Sequence, residues 1–162
     1  IVDEAGRELG RHDGAVGYTV GQRTGLGVAV GEPRYVARVD PAGGLIQLAR
    51  REDLETRTVA LEDVSFLGDV PPAGDGSPFR AEVRIRHRSP LAPATVRPAT
   101  ADEPARGGRW VVETDAPVWA VAPGQAAVLY DGETCLGGGR IAGAVTPGVP
   151  EAQSSQVMAA AR

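Results

Sequence analysis

Between Phe79 and Arg88 apolar and charged residues alternate: Phe79, Ala81, Val83, Ile85 and His87 on one side, Arg80, Glu82, Arg84, Arg86 and Arg88 on the other. A period of two sends successive side chains to opposite faces of an extended chain. The segment is therefore predicted as a strand with a core face, carrying His87, and a charged face. Shorter β-type runs follow at 92–97, 110–114, 118–122, 126–130 and 133–136. Asp115-Ala116-Pro117 breaks one pair, Asp131-Gly132 signals a hairpin, and Gly137-Gly138-Gly139 signals a bulge or bend. Six short strands within 79–143 predict a small barrel. Upstream, 34–40 and 45–50 read as strands joined by Pro41-Ala42-Gly43-Gly44. Asp13 is placed to cap a short helical turn leading to Tyr18. The run 59–67 alternates weakly and is expected to close a small α+β unit over 1–67. Residues 68–78 have the composition of a linker. A polar loop is expected at 99–108 and a disordered tail at 144–162.

Composition narrows this picture. The 162 residues include 22 Gly and 13 Pro, which favours short strands and turns over long helices. Only 4% are aromatic, so the core must rest on Val, Leu, Ile and Ala. No apolar run is long enough to span a membrane. The single Cys excludes an internal disulfide and fits a reducing, cytoplasmic setting. The net charge of −4 argues against a protein that coats nucleic acid generally, DNA included. Locally the balance reverses: 79–98 holds five Arg against one acid, Glu82. All 17 Lys and Arg are Arg, so any phosphate contact is made by planar guanidinium forks.

Candidate chemistry concentrates in Gly17-Tyr18-Thr19-Val20-Gly21-Gln22-Arg23-Thr24-Gly25-Leu26-Gly27, with His12-Asp13-Gly14 ahead of it. Tyr18 offers a stacking face, Gln22 a two-way hydrogen-bond edge and Arg23 a five-donor fork. These are the means to hold an unstacked nucleotide. The run is not a phosphate loop, since no Lys follows its glycines. His12 can donate to a phosphate or shape its own turn. Arg80, Arg84, Arg86 and Arg88 make a phosphate-tracking stripe or a solvated face. Cys135 lies beside Leu136 with no His nearby in sequence and reads as a small core residue. Trp110 and Trp119 also read as core, with base stacking as the alternative for either one if it is exposed. No acidic cluster has metal-ligand spacing, and no metal is expected.

The glycine-rich run carries a resemblance, extended in order by three further stretches. They are Gly31-Glu32-Pro33 with Tyr35-Val36 and Asp40; Arg50-Arg51-Glu52-Asp53-Leu54; and Val121-Ala122-Pro123-Gly124-Gln125 leading into Tyr130-Asp131-Gly132 and Cys135 to Ile141. Over 1–143 the chain resembles the bacterial tRNA-specific 2-thiouridylases, with Thr24 where that family usually has a basic residue. The resemblance implies a central α+β domain and a β-barrel like the second domain of translation elongation factors. It implies an enzyme that thiolates C2 of the wobble uridine, with ATP and Mg bound by an N-terminal domain and sulfur supplied by a cysteine persulfide. That domain's phosphate loop and two catalytic cysteines are not in this sequence. The chain is therefore expected to be the C-terminal portion, inactive alone and contributing no catalytic residue. His12, Tyr18, Thr19, Gln22 and Arg23, with Arg80, Arg84, Arg86 and Arg88, are expected to contact the tRNA anticodon arm. Docking of a sulfur-relay protein and a purely structural barrel are the alternatives.

Overall fold

A computed structural model describes residues 1–68, 71–74, 76–100 and 110–145. Parts of the expected linker and polar loop (69–70, 75 and 101–108) and the tail beyond 145 lie outside the described residues. Eight strands and two short 3-10 turns make up the described chain, which is mainly β.

β1 (Tyr35–Asp40) and β2 (Leu45–Ala49) form an antiparallel hairpin through Pro41-Ala42-Gly43-Gly44. The turn is closed by Asp40, whose Oδ1 accepts the Gly43 N–H at 3.0 Å. Val36, Ile46 and Leu48 are fully buried and pack with Ile1, Ala15 and Leu26. Val2 extends this sheet, donating to the Ile46 carbonyl and accepting from the Leu48 N–H. The only helical elements here are the 3-10 turns Ala15–Gly17 and Glu52–Leu54. The expected Asp13 cap does not form: Gly14 is the N-cap, and no side chain caps the turn. His12 does the local work instead, accepting the Gly14 N–H on Nδ1 at 3.1 Å.

The remaining strands close a six-stranded antiparallel barrel in the order β3, β6, β5, β4, β7, β8. They are β3 (Glu55–Phe66), β4 (Phe79–Arg84), β5 (Ala92–Pro98), β6 (Trp110–Trp119), β7 (Ala126–Asp131) and β8 (Thr134–Val145). The first barrel strand is thus the stretch expected to close the N-terminal unit. Its alternating Val59 and Leu61 point into the barrel core with Val83, Val96, Val112, Leu129 and Ile141. Without β3 the barrel would have open edges on β6 and β8, each of which pairs along much of it. The Asp115-Ala116-Pro117 break becomes a bulge inside β6, where the register against β3 jumps between Thr56/Val118 and Thr58/Glu113. The glycine run sits where β8 crosses both neighbours. A Cβ on Gly137, at φ +142°, would lie 2.2 Å from the Ser65 carbonyl oxygen. At one end Phe66, Phe79 and Trp110 meet edge to face at 5.1–6.2 Å.

Candidate nucleic-acid interface

The loop from Tyr18 to Thr24 is hung on β1. The Gly21 N–H donates to the Val36 carbonyl at 2.8 Å, and the Val36 N–H donates to the Gln22 carbonyl at 2.9 Å. The Gln22 side chain closes the loop on itself: Oε1 accepts the Thr19 N–H at 3.1 Å and Nε2 donates to the Thr24 carbonyl at 3.0 Å. Its amide shapes the loop rather than facing outward. His12 has no spare nitrogen either. Nδ1 accepts from Gly14, so Nε2 carries the proton and donates to the Gly44 carbonyl at 3.0 Å. The ring meets Tyr18 edge-on at 5.5 Å. His12 therefore fastens the loop to the β1–β2 turn, while Thr19 and Arg23 are exposed and Tyr18 half-buried. Arg23 makes no hydrogen bond or ion pair with any described residue. Val16, between His12 and Tyr18, is 95% exposed. Beyond the loop an open cleft of about 620 Å³ runs from Arg23 to Arg34. Its far wall is charge-balanced, with Arg34 bonded to Glu4 and, at 2.6 Å, to Glu32.

The four arginines of the 79–88 run do not form one stripe. β4 ends at Arg84, and Arg86 and Arg88 lie in the bend and turn that follow. The chain must leave the barrel there to return as β5, so the period-two pattern outlasts the strand. His87, expected in the core, is exposed for the same reason. Arg80 grips Asp115 with two parallel bonds of 2.8 and 2.6 Å. This fork holds the Asp115 carboxyl below its usual range and raises the guanidinium's own pKa. Across the barrel exterior Arg97 pairs with Glu113, and Arg140 with Glu62 and Asp63. Hydrogen bonding to Asp63 raises the pKa of Arg140. Arg84 lies over the Tyr130 ring at 5.6 Å with its buried Nε unbonded.

Arg86 turns instead toward the seam between the barrel and the N-terminal unit. Its Nη2 donates to the Ala120 carbonyl at 2.9 Å, and its guanidinium carbon lies 5.5 Å from the centre of the Trp119 ring. Arg51 approaches the same ring at 4.7 Å. Trp119 donates through Nε1 to the Arg51 carbonyl at 3.2 Å and meets Tyr35 edge-on at 5.4 Å. The loop is built into this seam. A Cβ on Gly21, at φ +87°, would stand 2.7 Å from the Ala120 Cβ and 3.3 Å from the Trp119 ring. Ala120 itself has φ +53°, a conformation uncommon for a residue with a Cβ. Trp119 is thus a half-buried joint residue. Arg51 is visible in the sequence within a matched motif, but no periodicity reveals that it meets a tryptophan 68 positions away.

Among the described residues no three His, Cys, Asp or Glu side chains gather as a metal site. No described helix is long and apolar enough to cross a membrane. Cys135 is half-buried, its Sγ 3.9 Å from the Gly137 carbonyl.

Residues 56–141 match the family model described as the aminomethyltransferase beta-barrel domain. Residues 1–50 match that of the tRNA methyl transferase PRC-barrel domain. The chain is 48% identical over 143 residues to a protein of Chloroflexus aggregans named tRNA-specific 2-thiouridylase MnmA, covering 88% of this chain and 37% of that protein. Proteins of the same name from Paramagnetospirillum magneticum and Microcystis aeruginosa are 45% and 38% identical over 141 and 144 residues. Those matches cover 87% and 89% of this chain. The chain spans 35–38% of the length of these relatives.

Proposed function

The chain belongs to the tRNA-specific 2-thiouridylase family, and on that premise we propose that it is the tRNA-binding portion of an enzyme that thiolates C2 of the wobble uridine. The observation that carries this reading is the loop of Tyr18, Thr19 and Arg23. It is stapled by His12 and Gln22 so that an exposed guanidinium and a half-buried tyrosine stand on a fixed backbone. A uridine within a stacked anticodon loop exposes its C2 only when flipped out. A rigid loop beside an open cleft suits the gripping of such a strand. ATP, with Mg, and the persulfide cysteine belong on this reading to residues outside this chain. The chain alone accordingly binds but does not react, in the cytoplasm and without a membrane.

The test is a titration of this chain with an unmodified anticodon stem-loop at low and physiological salt. A binder that neutralises several phosphates weakens steeply as salt rises. Saturable, salt-steep binding without AMP or pyrophosphate release from ATP is expected. Absence of binding at low salt, or release of AMP by the pure chain, overturns the reading.

One observation favours a second reading for the barrel alone. Three of its cations, Arg80, Arg97 and Arg140, are matched by carboxylates. A barrel wall whose arginines are held by its own acids in this way serves as scaffold, and Arg80→Ala then leaves stem-loop affinity unchanged.

A further inference from the structure

The arginines divide by what they touch. Arg7, Arg11, Arg34, Arg80, Arg97 and Arg140 each face a carboxylate. Arg51 and Arg86 face none among the described residues. Both are drawn instead to the Trp119 ring, within 5.5 Å of its centre. Arg23, also without an acidic partner, stands two residues along the turn whose Gly21 packs against Trp119 and Ala120. Two cations without a carboxylate partner thus converge on one ring at the seam, whereas Arg80, Arg97 and Arg140 on the barrel wall are matched by acids.

Resting on the tRNA-binding reading above, we propose that this seam is a phosphate-backbone site for RNA, with Arg51 and Arg86 as its forks and Trp119 as their platform. An arginine held against an aromatic ring loses little further freedom on binding, and its N–H edges remain free to form paired bonds to phosphate oxygens. Arg86 commits one nitrogen to the Ala120 carbonyl, which leaves its other donors available. Arg51 is exposed, and its guanidinium bonds to no described residue. Two guanidiniums flanking one indole can reach neighbouring phosphates of a single strand. That strand then runs from the seam toward Arg23 and the cleft. The site replaces the expected stripe along β4, which the fold breaks after Arg84.

The experiment measures binding of the chain to an unmodified anticodon stem-loop RNA across a series of salt concentrations. Each phosphate contact contributes roughly 0.7–0.9 to the slope of log affinity against log salt. Arg51→Gln is expected to lower that slope by about one contact, and Arg51→Gln/Arg86→Gln by about two, with affinity at low salt falling at least about tenfold. Arg80→Ala/Arg97→Ala, a control for charge alone, should leave both unchanged. Arg51→Gln removes an exposed side chain, so its effect is read in a folded protein even if Arg86→Gln loosens the seam. A wild-type slope in both seam variants, or an equal loss in the control, overturns the site while leaving tRNA binding in place. Failure of the wild-type chain to bind overturns the reading beneath it as well.

Discussion

Asp3 shows how a single residue is committed by its surroundings. It is 2% exposed, yet its carboxylate accepts from the Ala5 and Arg7 N–H groups at 2.9 Å and from the Arg7 guanidinium at 2.7 Å. The backbone bond from Arg7 is the largest cause holding its pKa below 3.8. A lowered native pKa means that the unfolded chain binds the proton more readily. The contribution to stability is therefore complete above the ordinary carboxylate range and lost as pH falls through the lowered native value. Asp3→Asn should lower the melting temperature at pH 7, and the difference from wild type should shrink on acidification below pH 4. Thermal melts at pH 7 and pH 3 check both. An Asp3→Asn deficit that stays constant with pH would show that the carboxylate's charge is not what matters.

Among the elements, β8 is the most demanding. It lies against β7 on one side and β3 on the other, and its glycines leave room for both backbones. At Gly137 a methyl group meets a carbonyl oxygen at 2.2 Å in a conformation that side chains rarely adopt. Gly137→Ala should destabilise the chain by at least about 1–3 kcal/mol, the usual range for forcing an extra group into a packed site. Chemical denaturation measures it. A loss below about 0.5 kcal/mol, the scale of an ordinary surface change, would mean that β8 moves freely against β3.

At the scale of the molecule, Trp119 couples the two units. The seam joins Leu54, Ala49 and Ala120 with Tyr35, Val20 and Trp119. The Ala120 N–H donates to the Leu54 carbonyl at 3.0 Å. Removing the indole takes away its contacts with Tyr35 on β1 and its bond to the Arg51 carbonyl. Trp119→Ala should cost roughly 2–4 kcal/mol, towards the lower part of the range for large-to-small changes because the ring is only half-buried. It should also speed amide exchange at Gly21 and Val36, which hold the loop. Exchange unchanged at those two amides would show that the loop is ordered by β1 alone.

Local pattern determined the strands: period-two runs, the Pro41 to Gly44 and Asp131-Gly132 turns and the Gly137 to Gly139 bend can all be read without the fold, because each depends on residues within a few positions. The ordered motifs likewise placed the chain in its family. Three things were decided only by tertiary structure. β3 joined the barrel because β6 and β8 need a partner, and no local signal records a pairing of Glu55 with Trp119. On β4, Arg80 was neutralised by Asp115, which comes from 35 residues away, and the charged run was cut short where the chain turns toward β5 after Arg84. His12 and Gln22 became braces because backbone groups stood within their reach, Gly44 of the β1–β2 turn for His12 and Thr19 and Thr24 of the folded loop for Gln22. The gathering of Arg51 and Arg86 on Trp119 has the same origin, since closure of the barrel brings distant parts of the chain to one seam.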